Sequence, residues 1–282
     1  MCEGTSGAPE GTWAGGLPPA RACTSGPGAP ARGSQSGSGW ATSGRRLHSR
    51  TMSGPGTPAA RGWFITIEGP EGGGKTTQAE RLRAHLAREP GGTVQLAREP
   101  GGTWLGERVR EILLARTAPG APPTEPLADA FLFNAARRQL VREVIRPALD
   151  AGTTVICARF ADSTLAYQGH GAGVPIAHLR ALADLATDGL TPDLTVLLDL
   201  PVEAGLARKS PGDVTRFEAE FDLAFHRRVR DGFLALAAAE PARFAVIDAT
   251  LPVDQVTAAM VRAVDRQIGR SEPESSGMRI TS

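Results

Sequence analysis

Cysteine, aromatic residues and long apolar runs are scarce in this chain of 282 residues, which contains three cysteines and one tyrosine. Three cysteines do not form a disulfide framework, so the chain suits a reducing compartment and we expect a cytoplasmic location. No apolar run approaches the ~20 residues that a transmembrane helix needs. The formal net charge is only +1, which gives no reason to expect a nucleic acid or a membrane as partner.

The first 61 residues lack an apolar period and consist mainly of Gly, Ser, Pro, Ala and Thr. Such a segment buries too little surface to offset its ordering entropy, so we predict disorder over residues 1–61. Its excess of arginine over acidic residues is typical of a transit peptide, although the apolar face of such peptides is missing. The alternative, which we favour, is an over-extended reading frame with the true start at Met52. We expect a second disordered tail over residues 271–282.

Between the tails, residues 62–270 are predicted to form one domain in which strands and helices alternate. The predicted strands are short, apolar and β-rich, as strands buried on both faces are. Their order predicts an α/β fold with a five-stranded parallel sheet, helices on both faces, and ligands at the carboxyl ends of the strands. The predicted strands cover residues 64–67, 94–97, 154–158, 194–200 and 244–247. The predicted helices cover residues 76–88, 105–116, 126–150, 176–188, 214–239 and 253–268.

The most specific motif is GPEGGGKT at residues 69–76, which fits the phosphate-loop pattern G-x-x-x-x-G-K-[ST]. It follows a predicted strand and precedes a helical pattern, which is the context that the motif requires. Glycines let successive backbone N–H groups point at one centre, and the helix N-terminus adds partial positive charge. The motif predicts that Lys75 reaches the β- and γ-phosphates of a nucleoside triphosphate and that the Thr76 hydroxyl ligates Mg²⁺.

Four further segments follow in order: REPGGT at 98–103, FLFNAAR at 131–137, RFADSTLAYQG at 159–169, and a cation-rich stretch at 206–218. Together with the phosphate loop they resemble the thymidylate kinase family over about residues 63–268. The resemblance implies a nucleoside monophosphate kinase-like fold, usually a homodimer, that uses ATP and Mg²⁺ to phosphorylate dTMP to dTDP. Because positions 70–73 carry no basic residue, the chain is similar to the bacterial-type subgroup whose lid supplies the cations.

For the acceptor, the resemblance implies that Glu71 accepts a hydrogen bond from the sugar 3′-hydroxyl. Arg98 and Arg159 grip the monophosphate, a task that suits planar guanidinium groups. Phe133 stacks on thymine, and Arg137, four residues later on the same helical face, donates to a base carbonyl. Without the resemblance, Phe133 would be interpreted as an ordinary core residue. The remaining implied acceptor residues are Tyr167, which disfavours ribonucleotides, and Ser163 and Gln168, which line the base pocket.

For the donor, the resemblance implies that the loop and the residue after it hold the ATP phosphates. Arg208 and Arg216 lie in the segment that corresponds to the mobile lid. Lys75 and Arg159 complete the set of catalytic cations around the transferred phosphoryl group. The implied ATP-binding residues are Gly69, Pro70, Glu71, Gly72, Gly73, Gly74, Lys75, Thr76 and Thr77.

Three positions depart from the family pattern. Ala158 stands where an aspartate usually precedes the arginine after the third strand, Ala172 replaces a frequent arginine, and Thr215 replaces a frequent aspartate. Loss of a carboxylate near a metal typically costs ~10–100-fold in metal affinity or activity. Two alternatives therefore stay open: a kinase for another, modified pyrimidine nucleotide, and a nucleotide-binding homologue with weak or no turnover.

Overall fold

The computed structural model describes residues 61–88, 92–210, 212 and 214–269. Except for Arg61, the two predicted tails lie outside the described residues, and so does position 52. Within the described ranges, no helix is both long and apolar enough to cross a membrane.

Five parallel strands form a single sheet in the order β2-β3-β1-β4-β5. This arrangement, with helices around the sheet, confirms the predicted fold class. Because every strand runs the same way, their carboxyl ends meet at one edge, where Arg98 lies beside Ala158 and Ala158 lies beside Ile67. The strands are β1 (Phe64–Glu68), β2 (Val94–Arg98), β3 (Thr154–Ala158), β4 (Leu194–Asp199) and β5 (Phe244–Asp248).

Helices cover both faces of the sheet because the central strands are apolar on both faces, as in β1, where all five residues are buried. Ile65 and Val196 share one core cluster with Leu82 and Met260 of the first and last helices, whereas Phe64 packs on the other face against the helices that precede β3. The helices are α1 (Lys75–Leu86), α2 (Trp104–Leu114), α3 (Pro126–Leu140), α4 (Arg146–Asp150), α5 (Ala161–Thr164), α6 (Ile176–Thr187), α7 (Val202–Ala207), α8 (Arg216–Glu220), α9 (Leu223–Ala239) and α10 (Val253–Gln267). Two π-helical segments join α3 to α4 (Val141–Ile145) and follow α5 (Leu165–Gly171).

The predicted helix over 214–239 is wrong in one respect, because the chain leaves the helix between α8 and α9. Phe221 has extended backbone angles, and the carboxylate of Asp222 accepts the N–H of Phe225 at 2.7 Å. Asp222 therefore caps a new helix rather than continuing the old one. The helical stretches over 161–171 and 202–207 were not predicted, since neither shows a sustained apolar period.

Candidate functional site

A cavity of about 700 Å³ opens at the carboxyl edge of the sheet. The phosphate loop forms one side, and residues from the loop after β2, from α2 and α3, and from the π-helical segment after α5 form the other. A neighbouring cavity of about 460 Å³ shares three loop glycines and Arg208 with the first, and residues 249–253 after β5 border it. The phosphate loop thus lies between two openings, as a loop that holds a donor nucleotide opposite an acceptor requires.

Two glycines give the phosphate loop its shape. Gly72 has φ 70°, and a β-carbon there would lie 1.9 Å from the carbonyl oxygen of Gly205 in α7. Gly74 has φ 80° and is the N-cap of α1. The left-handed conformation and the close contact both exclude larger residues. The N-terminal N–H groups of α1 consequently face the cavity as an anion site.

Lys75 is buried at the base of the loop. Its ammonium group donates to the carbonyl oxygens of Gly69 and Pro70 at 2.9 and 2.7 Å. Burial lowers the pKa of Lys75 to about 7, and the positive charge of Arg159 acts in the same direction. A phosphate anion would reverse that shift, because it favours the charged ammonium group.

Glu71 is the electrostatic centre of the cavity. Its Oε1 accepts from an Nη2 of Arg159 at 2.6 Å and from the hydroxyl of Tyr167 at 2.8 Å, and its Oε2 lies 3.8 Å from the ammonium of Lys209. Burial raises the pKa of Glu71, but the charges of Arg159, Lys75 and Lys209 outweigh it and lower the pKa to about 2. Glu71 is therefore an ionised acceptor at the cavity wall near neutral pH.

A buried carboxylate sets the direction of Arg159. Arg159 has φ 68°, an uncommon conformation for a residue with a side chain. Glu68, at the end of β1, accepts the N–H of Phe160 at 2.6 Å and the hydroxyl of Ser163 at 2.6 Å. These bonds hold the turn that follows β3, so Arg159 extends over the loop toward Glu71.

Aromatic rings form the far wall of the cavity. Phe133 of α3 and Tyr167 both line it, and Phe217 of α8 lies between them, with ring centroids 6.2 and 5.8 Å away respectively. The π-helical segment after α5 places Tyr167 and Gln168 side by side on this wall. An aromatic wall with a few polar groups suits a planar base.

The structure places three of the expected arginines away from the cavity wall. Arg98 is about half exposed and pairs with Glu107 at 3.0 Å. Arg137 is 1% exposed and bonds to Glu99, Asn134, Thr164 and the carbonyl oxygen of Phe160. Buried acceptors hold the guanidinium of Arg137 in this structure, and its donation to a base stays a prediction.

Arg216 also lies away from the cavity, and its expected role as a lid cation stays a prediction. It does not line the cavity but forms a buried ion pair with Asp129 of α3 at 2.8 Å. The other lid cation, Arg208, lines both cavities and donates to the carbonyl oxygens of Gly72 and Ala249 at 3.4 and 3.0 Å. Of the two expected lid arginines, Arg208 alone lies where a triphosphate could be reached.

Several residues of the cavity wall escaped the sequence prediction, among them Glu99, Arg110, Thr164 and Phe217. Arg110, on α2, donates to the carbonyl oxygen of Pro100 at 3.0 Å. Burial lowers its pKa, and the charges of Arg98 and Arg159 act in the same direction. Crowded guanidinium groups at a cavity wall indicate an anion site. The only sequence signal for Arg110 is its place on the helix that follows the REPGGT loop.

Comparison with known proteins converges on one family. The family profile described as thymidylate kinase matches residues 67–260. The chain is similar to thymidylate kinase of Deinococcus radiodurans, with 54% identity over 209 residues that cover 74% of this chain and 98% of the relative. It is also similar to thymidylate kinase of Thermomicrobium roseum, with 51% identity over 215 residues that cover 75% of this chain and 99% of the relative. A crystal structure of thymidylate kinase from Ehrlichia chaffeensis is similar at 35% identity and a TM-score of 0.58, covering 72% of this chain and 99% of that one.

Proposed function

The chain belongs to the thymidylate kinase family, and we propose that the cavity at the carboxyl edge of its sheet is where it phosphorylates dTMP to dTDP with ATP. The observation that carries this assignment is the junction at Glu71. There the phosphate loop meets Arg159 and Tyr167 of the aromatic wall, so one carboxylate joins a triphosphate cradle to a pocket that fits a planar base.

On the donor side, the loop N–H groups and Lys75 bind the ATP phosphates, and Arg208 reaches them from the lid. The adenine occupies the neighbouring cavity beside residues 249–253. Among the described residues, no three His, Cys, Asp or Glu side chains are grouped to hold a metal ion. This fits Mg²⁺ bound in the usual manner of nucleotide sites, through phosphate oxygens, water and one hydroxyl. Thr76 supplies that hydroxyl, since it is exposed at the first turn of α1 and lines the cavity.

On the acceptor side, Phe133 stacks on the thymine and Gln168 and Thr164 face its edge. Arg159 and Arg110 bind the monophosphate, and Glu71 accepts from the sugar 3′-hydroxyl. In this arrangement Arg98 and Arg137 serve indirectly: Arg137 holds Glu99 and the turn at Phe160, and Arg98 orders the loop after β2 through Glu107. Ser163 lines the cavity and donates its hydroxyl hydrogen to the buried carboxylate of Glu68.

The reaction needs no general base, because the attacking phosphate oxygen of dTMP is already ionised near neutral pH. Catalysis therefore consists of aligning two phosphates in line, neutralising their charge and excluding water. Mg²⁺ neutralises charge on the donor phosphates when bound. Lys75, Arg159 and Arg208 provide the remaining positive charge on three sides of the transferred group.

The test is an assay of the full-length protein with ATP labelled in the γ-phosphate and a panel of dTMP, dUMP, dCMP and dGMP. We expect labelled dTDP, with kcat/KM for dUMP about 10–200-fold lower, because one methyl group separates the two bases. A higher kcat/KM for another pyrimidine would favour the kinase of a modified nucleotide. Binding of ATP and dTMP without labelled dTDP would favour the homologue with no turnover.

We also propose that the protein acts in the cytoplasm as a homodimer. Five large apolar side chains are exposed on α2, α3 and α6: Trp104, Leu105, Ile112, Phe131 and Leu185, with exposed fractions of 80%, 36%, 63%, 55% and 74%. These helices are neighbours, since α2 packs on α3 and α3 packs on α6. Exposed apolar surface of this kind marks interaction sites, and a second copy covering it agrees with the homodimer expected from the family.

A further inference from the structure

The buried ion pair between Asp129 and Arg216 has no role in the phosphoryl transfer described above. Both side chains are 4% exposed, and an Nη2 of Arg216 donates to Oδ2 of Asp129 at 2.8 Å. Oδ1 of Asp129 and Nε of Arg216 have no hydrogen-bond partner among the residues that the structure describes. A buried pair with unsatisfied atoms contributes little to net stability, so a role in fixing one arrangement explains it better.

What the ion pair fixes is the position of α8. The guanidinium of Arg216 also lies over the ring of Phe217, 4.9 Å from its centroid. Phe217 is buried, lines the cavity and lies between Phe133 and Tyr167. A shift of α8 away from α3 would therefore withdraw Phe217 from its contacts with the ring expected to stack on the base and with the tyrosine expected beside the sugar.

Helix α8 is also held by hydrogen bonds at its first turn and at its last residue. Glu220 accepts the N–H and the hydroxyl of Thr117 at 2.6 and 2.8 Å, and Thr215 and Glu218 form a capping box at the first turn. Glu218 also pairs with Lys209 at 2.8 Å, next to Glu71. Through these contacts α8 connects the lid segment with the acceptor wall.

We propose that Asp129 and Arg216 are positioning residues that hold Phe217 as the spacer between Phe133 and Tyr167, and that Phe217 determines selectivity for a 2′-deoxy pyrimidine nucleotide. This inference rests on the proposed function, because it assigns the aromatic wall to the acceptor. It also gives Arg216 a task different from that of a lid arginine, which would act on the transferred phosphoryl group.

The main experiment compares Phe217→Leu with the wild-type protein. Leucine keeps an apolar side chain but loses the ring contacts with Phe133 and Tyr167. We therefore expect the KM for dTMP to rise by about 5–10-fold. We expect the KM for ATP to stay within about twofold, and the preference for dTMP over its ribonucleotide counterpart to fall. The matched control is Phe221→Leu, because Phe221 stacks on Phe217 with centroids 5.7 Å apart but does not line the cavity. Its kinetics should stay near those of the wild type.

Asp129→Asn and Arg216→Gln test the ion pair. Like Phe217→Leu, each should raise the KM for dTMP, and each should leave kcat within about threefold of the wild type. When Asp129→Asn and Phe217→Leu are combined, the effects of the two changes on the KM should be less than additive. The double variant Asp129→Asn, Arg216→Gln should recover part of the loss, because it leaves no unpaired buried charge. If Asp129→Asn fails to fold, the comparison of Phe217→Leu with Phe221→Leu still tests whether Phe217 determines selectivity for the acceptor.

Two results would overturn the inference. One is a fall in kcat of Arg216→Gln with an unchanged KM for dTMP, which would place Arg216 at the phosphoryl group. The other is a Phe217→Leu protein with unchanged KM and unchanged preference for the deoxynucleotide. Binding of dTMP to the same variants is measured by calorimetry as well. A wild-type protein that binds dTMP but forms no dTDP contradicts the proposed function and leaves the positioning role testable through affinity.

Discussion

Among the residues that line the cavity, Glu71 joins three functional groups, because it accepts from Arg159 and Tyr167 and lies beside Lys209. Glu71→Gln keeps the acceptor for Tyr167 but removes the charge that faces Arg159. A hydrogen bond to a charged group is worth about 1.5–3 kcal/mol, so we expect the KM for dTMP to rise about 10–100-fold in steady-state kinetics at saturating ATP.

The control for Glu71→Gln is Glu203→Gln. Glu203 pairs with Arg227 where both side chains are more than half exposed, and surface pairs of this kind contribute little. Equal kinetic losses in the two variants would mean that Glu71 acts only through stability.

Glu68 gives a prediction about pH. Burial, followed by the charge of Asp162, raises the pKa of Glu68 from 4.5 to about 7. Because this pKa is higher in the folded than in the unfolded state, Glu68 does not destabilise the protein below pH 4.5, where it is protonated in both states. As the pH rises from 4.5 to 7, the free energy of unfolding falls by about 3 kcal/mol. Glu68→Gln mimics the protonated form and lacks this loss.

We therefore expect the free energy of unfolding of Glu68→Gln, relative to that of the wild type, to increase between pH 5 and pH 8. Urea unfolding of both proteins at four pH values measures this difference. Parallel curves for the two proteins would show that Glu68 does not titrate in this range.

Ala158 can be tested by restoring the carboxylate that the family pattern has there. Ala158 ends β3 directly before Arg159, at the edge where the phosphate loop begins. If a carboxylate at this position orders the waters of bound Mg²⁺, Ala158→Asp should raise kcat up to about 10-fold and lower the Mg²⁺ concentration needed for half-maximal rate. A fall in kcat, from repulsion of the phosphates, would contradict this interpretation.

The residues that sequence could predict best are those whose backbone motif fixes their place. Lys75 and Glu71 lie in the phosphate loop, and Tyr167 follows a strand end, so their position depends on local chain geometry. The surroundings of Arg137 and Arg216 were harder to predict, because each arginine pairs with a buried carboxylate that is distant in sequence. Arg137 pairs with Glu99, and Arg216 pairs with Asp129. A pairing of that kind depends on tertiary packing, which no local pattern encodes.

At the level of elements, the π-helical segment after α5 depends on its contact with α9. A β-carbon on Gly232 would lie 2.6 Å from Cβ and Cγ of His170. Overpacking of this kind costs about 1–3 kcal/mol, so Gly232→Ala should lower the free energy of unfolding by that amount and raise the KM for dTMP through Tyr167 and Gln168.

The control for Gly232→Ala is Asp231→Ala, an exposed position on the same helix. Its stability should stay within about 0.5 kcal/mol of the wild type. A Gly232→Ala protein as stable as this control would show that α9 and the π-helical segment have room to move apart.

The strands were the most predictable elements, since each is a short run rich in apolar and β-branched residues, and all five predicted ranges overlap the observed ones. The break between α8 and α9 was not predicted, because Phe221 and Leu223 continue the apolar pattern on both sides of it. The sequence signal that could have predicted this break is Asp222, a residue type that often caps the N-terminus of a helix. The π-helical segments were not predictable, since their pattern differs from that of an α-helix by a single residue per turn.

For the whole molecule, the exposed apolar side chains of α2, α3 and α6 predict self-association. Phe131→Glu places a charge in that surface, so we expect the dimer to dissociate to monomers in sedimentation velocity at micromolar concentration. Val246→Glu, at another exposed apolar position on the edge strand β5, should leave the dimer intact. A wild-type protein that is monomeric at all concentrations would contradict the homodimer.

The most direct test of the central claim is a crystal structure of the protein with dTMP and a non-hydrolysable ATP analogue bound together. We predict the γ-phosphate at Lys75, the thymine on Phe133, and the dTMP phosphate between Arg159 and Arg110. A dTMP bound outside this cavity, or one whose phosphate contacts neither guanidinium, would contradict the account.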